Sequence, residues 1–465
     1  MVDPGEDRPD AGGGLAGRLE ASRSRDPRRW RAIVVMGVFS AVVAARASAQ
    51  PAPAQPAPAE PAPAQPAPAP PAPTEPAPAQ PAPAPAEPAL TSPRLEIHGF
   101  ASEGAFVATA NDYFGTTSRA SLELFEAGIN VSTEVTERLR AGLQLFSRNL
   151  GSIQDVSPKL DWAFLDYRWR QWLGLRAGII KMPFGLYNEY VDIDAARLPI
   201  LLPSSVYPLR ERDVLLSHTG FALHGNRAFG AGGEIEYQAW LGSLTIPRTA
   251  LQLTGGATLD SVNVKYVTGG QLFWRPPLDG VRIGATYLRT AIDFHVALSA
   301  AQINALIAAG LVPAGYNGKL RISQRPITLL VGSAEYIHGD WLFAAEYSRW
   351  RTHQDSSVAA ISPAFDRDSE KLYAMATYRL SSAFEAGGYY SIYNYDVDDQ
   401  PAKHSGPFDG YQRDLAATLR FDVNDHWLWK LEGHFMDGAA SLPAEFNPHP
   451  DRYWGLFLLR TTVTF

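Results

Sequence analysis

From Tyr453 to Phe465 the chain alternates without a break: Tyr453, Gly455, Phe457, Leu459, Thr461, Val463 and Phe465 share one face, and Trp454, Leu456, Leu458, Arg460, Thr462 and Thr464 share the other. A period of two marks a strand, and one this long exceeds the five or six residues usual in a soluble sheet. Segments of the same texture precede it at 94–108, 121–135, 138–148, 159–170, 173–182, 217–225, 231–243 and 261–275. They continue at 280–295, 319–337, 340–352, 369–380, 383–396, 411–423 and 426–437, so the spacing predicts about sixteen strands. No stretch of the mature chain approaches 18 consecutive apolar residues, which excludes spanning helices.

Two features turn these strands into one transmembrane antiparallel β-barrel, an all-β fold. The count is even, and the joins alternate in length. Strands 2 and 3, 4 and 5, 8 and 9, 10 and 11, 12 and 13, and 14 and 15 are joined by a few residues, such as 276–280 or 338–340, while the intervening joins are long. Short periplasmic turns and long extracellular loops have that rhythm, and it puts both chain ends on the periplasmic side. Parity then assigns the faces. Leu139, Ala141, Leu143 and Leu145 oppose Arg138, Arg140, Gln144 and Arg148; Leu415, Ala417, Leu419 and Phe421 oppose Gln412, Asp414, Thr418 and Arg420. In a barrel this wide the apolar face meets lipid and the polar face lines a water-filled lumen. Tyr167, Trp169, Trp274, Trp341, Tyr378, Trp427, Trp429 and Tyr453 cluster near strand ends, as interfacial girdles require.

The N-terminal fifth is of another kind. Arg23, Arg25, Arg28, Arg29 and Arg31 precede an apolar run from Ala32 to Ala45 and the small residues Ala47-Ser48-Ala49, which predicts a signal peptide over 1–49. Residues 50–92 repeat Pro and Ala in the beat PAPAQPAPAE. Alternating proline removes backbone donors and fixes φ, so this segment is expected to be a disordered, polyproline-like periplasmic linker ahead of a barrel at 93–465. The chain has no cysteine and therefore no disulfide or thiolate chemistry. A formal charge of −7 without any basic run in the barrel argues against nucleic acid as a partner. His98, His218, His224, His295 and His434 show no metal-ligand spacing, so neither a metal nor a cofactor is expected.

The join after strand 5, from Pro183 to about Leu216, is the third extracellular loop and the longest without a pattern. It is too rich in Leu, Ile, Val and Tyr to stay solvated, and the lumen is the place available to it. The stretch Arg176-Ala177-Gly178-Ile179-Ile180-Lys181-Met182-Pro183-Phe184-Gly185 resembles the G-x-x-K-x-P-F-G run of the phosphate-selective porin family. Sixteen strands with a long third loop also resemble the Gram-negative general diffusion porins. The resemblance implies a homotrimeric diffusion channel with the third loop folded inside, although no lysine ladder of the phosphate-selective kind is evident. Inward parity puts Arg140, Arg148, Arg168, Arg170 and Arg176 on neighbouring stretches of wall, and together with Lys181 at the strand 5 exit they are expected to form a constriction with Glu189, Asp192, Asp194, Arg197, Arg210 and Arg212 of the loop. Elsewhere the wall is expected to present Lys265, Arg275, Arg282, Lys371, Arg379, Lys430 and Arg460 against Glu126, Asp166, Glu346, Glu385 and Glu432. A basic surplus there predicts a mild anion preference, unless the charges pair with one another and cancel.

Two other readings compete. An outer-membrane hydrolase would use Ser217, His218 and Asp213, which are neighbours in sequence only. An envelope tether would use the Pro/Ala segment, with the barrel as its anchor. The expected partners are outer-membrane lipid and lipopolysaccharide, small hydrophilic solutes or anions, and the barrel-assembly machinery. By resemblance to other outer-membrane proteins, that machinery reads the terminal aromatic Phe465. Residues 299–311 are predicted to form one short helix capped by Ser299.

Overall fold

The computed structural model describes residues 95–115, 117, 119–151, 156–209, 211–246, 257–399, 406–443 and 446–465. The predicted signal peptide and linker lie outside the described residues, as does Arg210. Sixteen antiparallel strands form one closed barrel, each paired with its neighbours in sequence, and the last closes on the first. The first eight are β1 (Leu95–Ala108), β2 (Leu124–Thr136), β3 (Leu139–Leu150), β4 (Lys159–Arg170), β5 (Leu173–Lys181), β6 (Ser217–Ala228), β7 (Glu234–Ser243) and β8 (Thr258–Arg275). The second eight are β9 (Val281–Ala297), β10 (Lys319–His338), β11 (Trp341–Ser356), β12 (Phe365–Arg379), β13 (Phe384–Asn394), β14 (Tyr411–Asn424), β15 (Trp427–Gly438) and β16 (Tyr453–Thr464).

Every predicted segment corresponds to one strand, but β8, β11 and β12 run several residues further at the long-loop end. There the outward side chains become charged, as with Arg349, Arg351 and Asp368, and the apolar/polar contrast that marks a strand in sequence fades. Pro326 sits where the pairing of β10 slips between Gln324 and Ile327, so the missing N–H falls where the ladder is already irregular.

The outward positions are apolar and exposed, as Leu143, Leu145, Leu415 and Leu419 illustrate. Inside, the wall departs from the uniformly polar face that alternation predicts. Val267, Phe273, Leu288, Leu329, Val331 and Tyr373 are buried inward residues packed around Met182, Phe184, Leu186, Val206 and Tyr207 of the third loop. The wall is apolar where it receives an apolar loop. That loop is not featureless: Asn188–Tyr190 and Asp194–Ala196 are single 3₁₀ turns, and Arg212–Leu215 is one turn of α-helix. Ala300–Ala308 is the predicted helix. Gln302 N–H donates to Ser299 Oγ at 3.3 Å and Gln302 Oε1 accepts from Ser299 N–H at 3.0 Å, a complete capping box on a helix with no buried residue.

Candidate functional site: the loop inside the barrel

The chain turns inward at the Gly178–Gly185 run. Gly185 has φ +60°, and a Cβ there would lie 2.3 Å from the Tyr207 hydroxyl and 2.6 Å from Glu346 Oε1, so only glycine fits. Its N–H donates to Thr286 Oγ1 at 3.3 Å and its carbonyl accepts from Gln271 Nε2 at 3.0 Å, which seats the turn on β8 and β9. Phe184 is buried and stacks on Tyr207 with ring centroids 5.6 Å apart. Lys181, at the end of β5, donates to the Glu189 carbonyl at 2.8 Å and pairs with Asp192 at 2.7 Å. Gly178, with φ +132°, leaves room for the Ala163 carbonyl, which a Cβ would meet at 2.2 Å. Each polar or glycine position of the G-x-x-K-x-P-F-G run therefore serves the local geometry of the turn.

Two wall carboxylates then hold the loop by its backbone. Glu346 on β11 accepts from Leu186 N–H at 2.8 Å, Ser333 Oγ at 2.6 Å, Tyr373 Oη at 2.7 Å and the Tyr207 hydroxyl. Glu432 on β15 accepts from Ile200 N–H at 2.7 Å and Leu201 N–H at 2.8 Å, with Thr418 Oγ1 at 2.6 Å and His434 Nε2 at 3.0 Å completing its shell. Because β11 and β15 face the loop's exit strand β5 across the interior, these bonds carry the loop through the lumen. Tyr207 is a weaker acid than usual, since burial and the neighbouring Glu346 carboxylate both disfavour phenolate.

The charged residues of the loop act as struts. Asp192 pairs with Lys181 and accepts from Gln144 Nε2 at 2.5 Å. Asp194 meets Lys430 at 3.0 Å and Arg460 at 3.8 Å and accepts from Thr462 Oγ1 at 2.8 Å. Burial works to raise both carboxyls, but Lys181 and Arg212 around Asp192, and Lys430, Arg460 and Arg197 around Asp194, outweigh it and hold them below the ordinary carboxylate range. Arg212 forms a buried pair with Asp161 at 2.7 Å over the Phe146 ring, 4.0 Å from its centroid. Arg148 donates to the Leu209 carbonyl and lies 3.6 Å from Asp213. Arg197 is buried and turns back onto the Pro199 and Ile200 carbonyls. Arg420 reaches the Ala195 carbonyl at 2.7 Å.

The predicted constriction residues thus fall into three groups. Arg148, Lys181, Asp192, Asp194, Arg197 and Arg212 are brought together, engaged with one another or with loop backbone. Arg140, Arg168, Arg176 and Glu189 lie toward the short-turn end. Arg176 is tied to Asp166 at 2.7 Å, Arg140 donates to Ser132 Oγ at 3.0 Å, and Arg168 has no ionic partner among the described residues. Burial pushes the Glu189 carboxyl up, against Arg176 and Lys181. Arg170 lies beyond a slip in pairing that sets it opposite Leu173, beside the Trp169 ring, so it has left the inward parity assigned to it. Of the remaining wall charges, Lys265 lies at the irregularity between Val264 and Tyr266 and pairs with Asp293 at 3.3 Å.

Parity could not reveal the roles of Gln144, Asp161, Tyr207, Glu346 and Glu432 as loop anchors. The available signal was an inward glutamate surrounded by small inward neighbours, Ser333 and Ser348 beside Glu346, which leaves a carboxylate in need of donors from elsewhere. The Ser217, His218 and Asp213 set does not assemble. Among the described residues neither ring nitrogen of His218 has a hydrogen-bond partner, and Asp213 is held by Lys159 at 2.5 Å and by Arg148.

No protein-family model matches the chain, and no curated protein does. Similar solved structures include an anion-selective porin from Comamonas acidovorans, at 10% identity and TM-score 0.49, covering 80% of this chain and 100% of that one. They also include Salmonella typhi OmpF in complex with daunomycin, at 13% identity and TM-score 0.47, covering 80% and 97%. In-vitro folded OmpT, an outer membrane protein of Vibrio cholerae, matches at 10% identity and TM-score 0.47, covering 81% and 99%. At such distances these likenesses say nothing about activity. On its own strand pairing and loop contacts, the chain is a closed sixteen-stranded antiparallel barrel with the loop after β5 folded into its interior.

Proposed function

We propose that the protein is a passive channel of the bacterial outer membrane, admitting small hydrophilic solutes and ions with a mild preference for anions. The observation that carries this reading is the third loop, fixed across the interior of a closed barrel whose outer wall is apolar. A loop fastened at Gly185, Leu186, Ile200 and Leu201 is a rigid partial barrier, which suits size selection better than gating. The anion preference rests on the pairing of the loop's acids with lysine and arginine, while Arg140 and Arg168 carry charge without a carboxylate partner among the described residues. Phosphate and other small anions are the candidate solutes, because arginine forks match their oxygens. The outer wall would meet lipid and lipopolysaccharide, and the barrel-assembly machinery would read Phe465. Purified protein in a planar bilayer under a salt gradient should give stepwise conductance with a reversal potential on the anion side. Cation selectivity would remove the charge assignment, and hydrolysis of phospholipid or peptide without conductance would favour the hydrolase reading instead.

A further inference from the structure

The inner wall holds a recess that the anchoring of the third loop does not use. At the short-turn end a cavity of about 240 Å³ is lined by Arg168 of β4, Gln171 of the following turn, His224 and Asn226 of β6, and Glu236 and Gln238 of β7. β5 runs between β4 and β6, and its residue at this level is Gly174, opposite both Arg168 and His224. A Cβ on Gly174 would lie 2.5 Å from His224 Nε2, so the imidazole lies across the glycine and reaches Asp166 Oδ1 at 2.9 Å. Arg176 holds the other oxygen of Asp166 at 2.7 Å, so that carboxylate is already matched. The rim is fixed as firmly as the floor. Asn226 N–H donates to the Gln171 carbonyl at 3.2 Å, and the Tyr237 hydroxyl donates to the Trp172 carbonyl at 2.5 Å. A recess built in advance by such contacts loses little freedom when it takes a ligand.

The two sides of the recess carry opposite charge. Arg168 is exposed and has no ionic partner among the described residues. Across from it, Glu236 meets Arg275 at 3.2 Å and Arg282 at 3.8 Å, but all three side chains are partly exposed, and water weakens pairs of that kind. The carboxylate is therefore open to a further cation. Between the two charges stand the amides of Gln171, Gln238 and Asn226, each able to donate and to accept. A simple anion would gain from Arg168 and lose to Glu236, and a simple cation the reverse. Length narrows the choice further. β4 and β7 are separated by three strand spacings, roughly 14 Å. A single amino acid is too short to bridge them, whereas two extended residues cover ~7 Å, and a charge-assisted hydrogen bond of ~2.8 Å at each end supplies most of the rest.

We propose that this recess binds a zwitterionic dipeptide, with its terminal carboxylate on the Arg168 guanidinium and its terminal ammonium on Glu236. The amides of Gln171 and Gln238 pair with the peptide group between them. The recess then holds a solute at the short-turn mouth, on the wall away from the bonds that fasten the loop to Glu346 and Glu432. The inference rests on the channel reading for the route by which the solute arrives.

Calorimetric titration of the full-length, detergent-folded protein tests this with four probes: L-alanyl-L-alanine, the same dipeptide capped at both ends, free L-alanine and inorganic phosphate. The uncapped dipeptide should saturate a single site per chain, and the other three should bind at least about tenfold more weakly. Arg168→Gln and Glu236→Gln should each weaken dipeptide binding by about tenfold or more, while Arg168→Lys keeps most of it. The heat-modifiable band shows whether each variant is folded, and the comparison of probes on the unaltered chain needs no variant. Equal binding of the capped dipeptide, tighter binding of phosphate or alanine, or no saturable heat with the dipeptide would overturn the proposal. Conductance of the same preparation is recorded separately. Conducting protein that does not bind the dipeptide removes this proposal alone, whereas binding in a protein that never conducts keeps the site and removes the channel reading.

Discussion

Glu346 and Glu432 direct their carboxylates at backbone N–H groups of a loop that starts on the far side of the barrel, and this choice of partner has consequences. Replacing Glu432 with Ala would leave Ile200 N–H and Leu201 N–H buried without acceptors, each at about 1–3 kcal/mol. The expected result is a barrel that still assembles but a loop that undocks, read as raised open-channel noise and a larger mean conductance. Gly185→Ala should act through the same loop, since its Cβ would collide with Tyr207 and Glu346. The struts add a pH dependence. Asp192, Asp194 and Asp213 have carboxyls depressed in the folded loop, so the unfolded chain binds more protons as pH falls. Their contribution is complete above the unfolded carboxylate pKa of about 3.9 and is lost as pH falls below it. Loop docking, followed by conductance noise, should hold from neutrality to about pH 4 and fail in stronger acid. Noise that rises already near pH ~6 would point to another group.

At the scale of elements, the proposed channel reading makes the third loop the part that limits what the lumen admits. Its replacement by a short Gly/Ser linker should raise unitary conductance several-fold and weaken ion selectivity, while unchanged conductance would place the narrowest passage elsewhere. The strands were legible in the sequence because apolar outward and mostly polar inward positions give a two-residue period, with each residue reporting its own side. The loop was legible only as a long apolar irregular segment. Its course depends on contacts separated by more than a hundred residues, such as Leu186 with Glu346 and Ile200 with Glu432, and no local period encodes those. Parity likewise groups Arg170 with Arg148 and Arg176, whereas the slip in pairing after Arg168 sets Arg170 opposite Leu173, and such a slip leaves no mark in the sequence. The same holds for the inner wall of β8 to β11. Val267, Leu288 and Val331 look like interruptions of a polar face until the loop that packs on them is known.

For the whole molecule, closure is the condition on which everything else rests. β16 meets β1 along nine residue pairs, and beyond them Phe465 exchanges two backbone hydrogen bonds of 3.0 Å with Gly99 while its ring lies over that glycine, where a Cβ would fall 2.3 Å from Cζ. Removing Phe465 uncovers the glycine and shortens the seam. The amount of heat-modifiable barrel reaching the outer membrane should fall, and the barrels that do assemble should conduct normally; normal levels would show that the seam does not need it. The charge of the lumen is a property of the same scale. Arg168→Glu should shift the reversal potential toward cations without altering assembly, since this side chain has no ionic partner to lose among the described residues. The most direct test of the channel itself is the conductance of single purified molecules in a planar bilayer under a salt gradient. Stable ohmic steps with an anion-side reversal potential are predicted, and a membrane that stays silent with inserted, correctly folded protein would contradict the account.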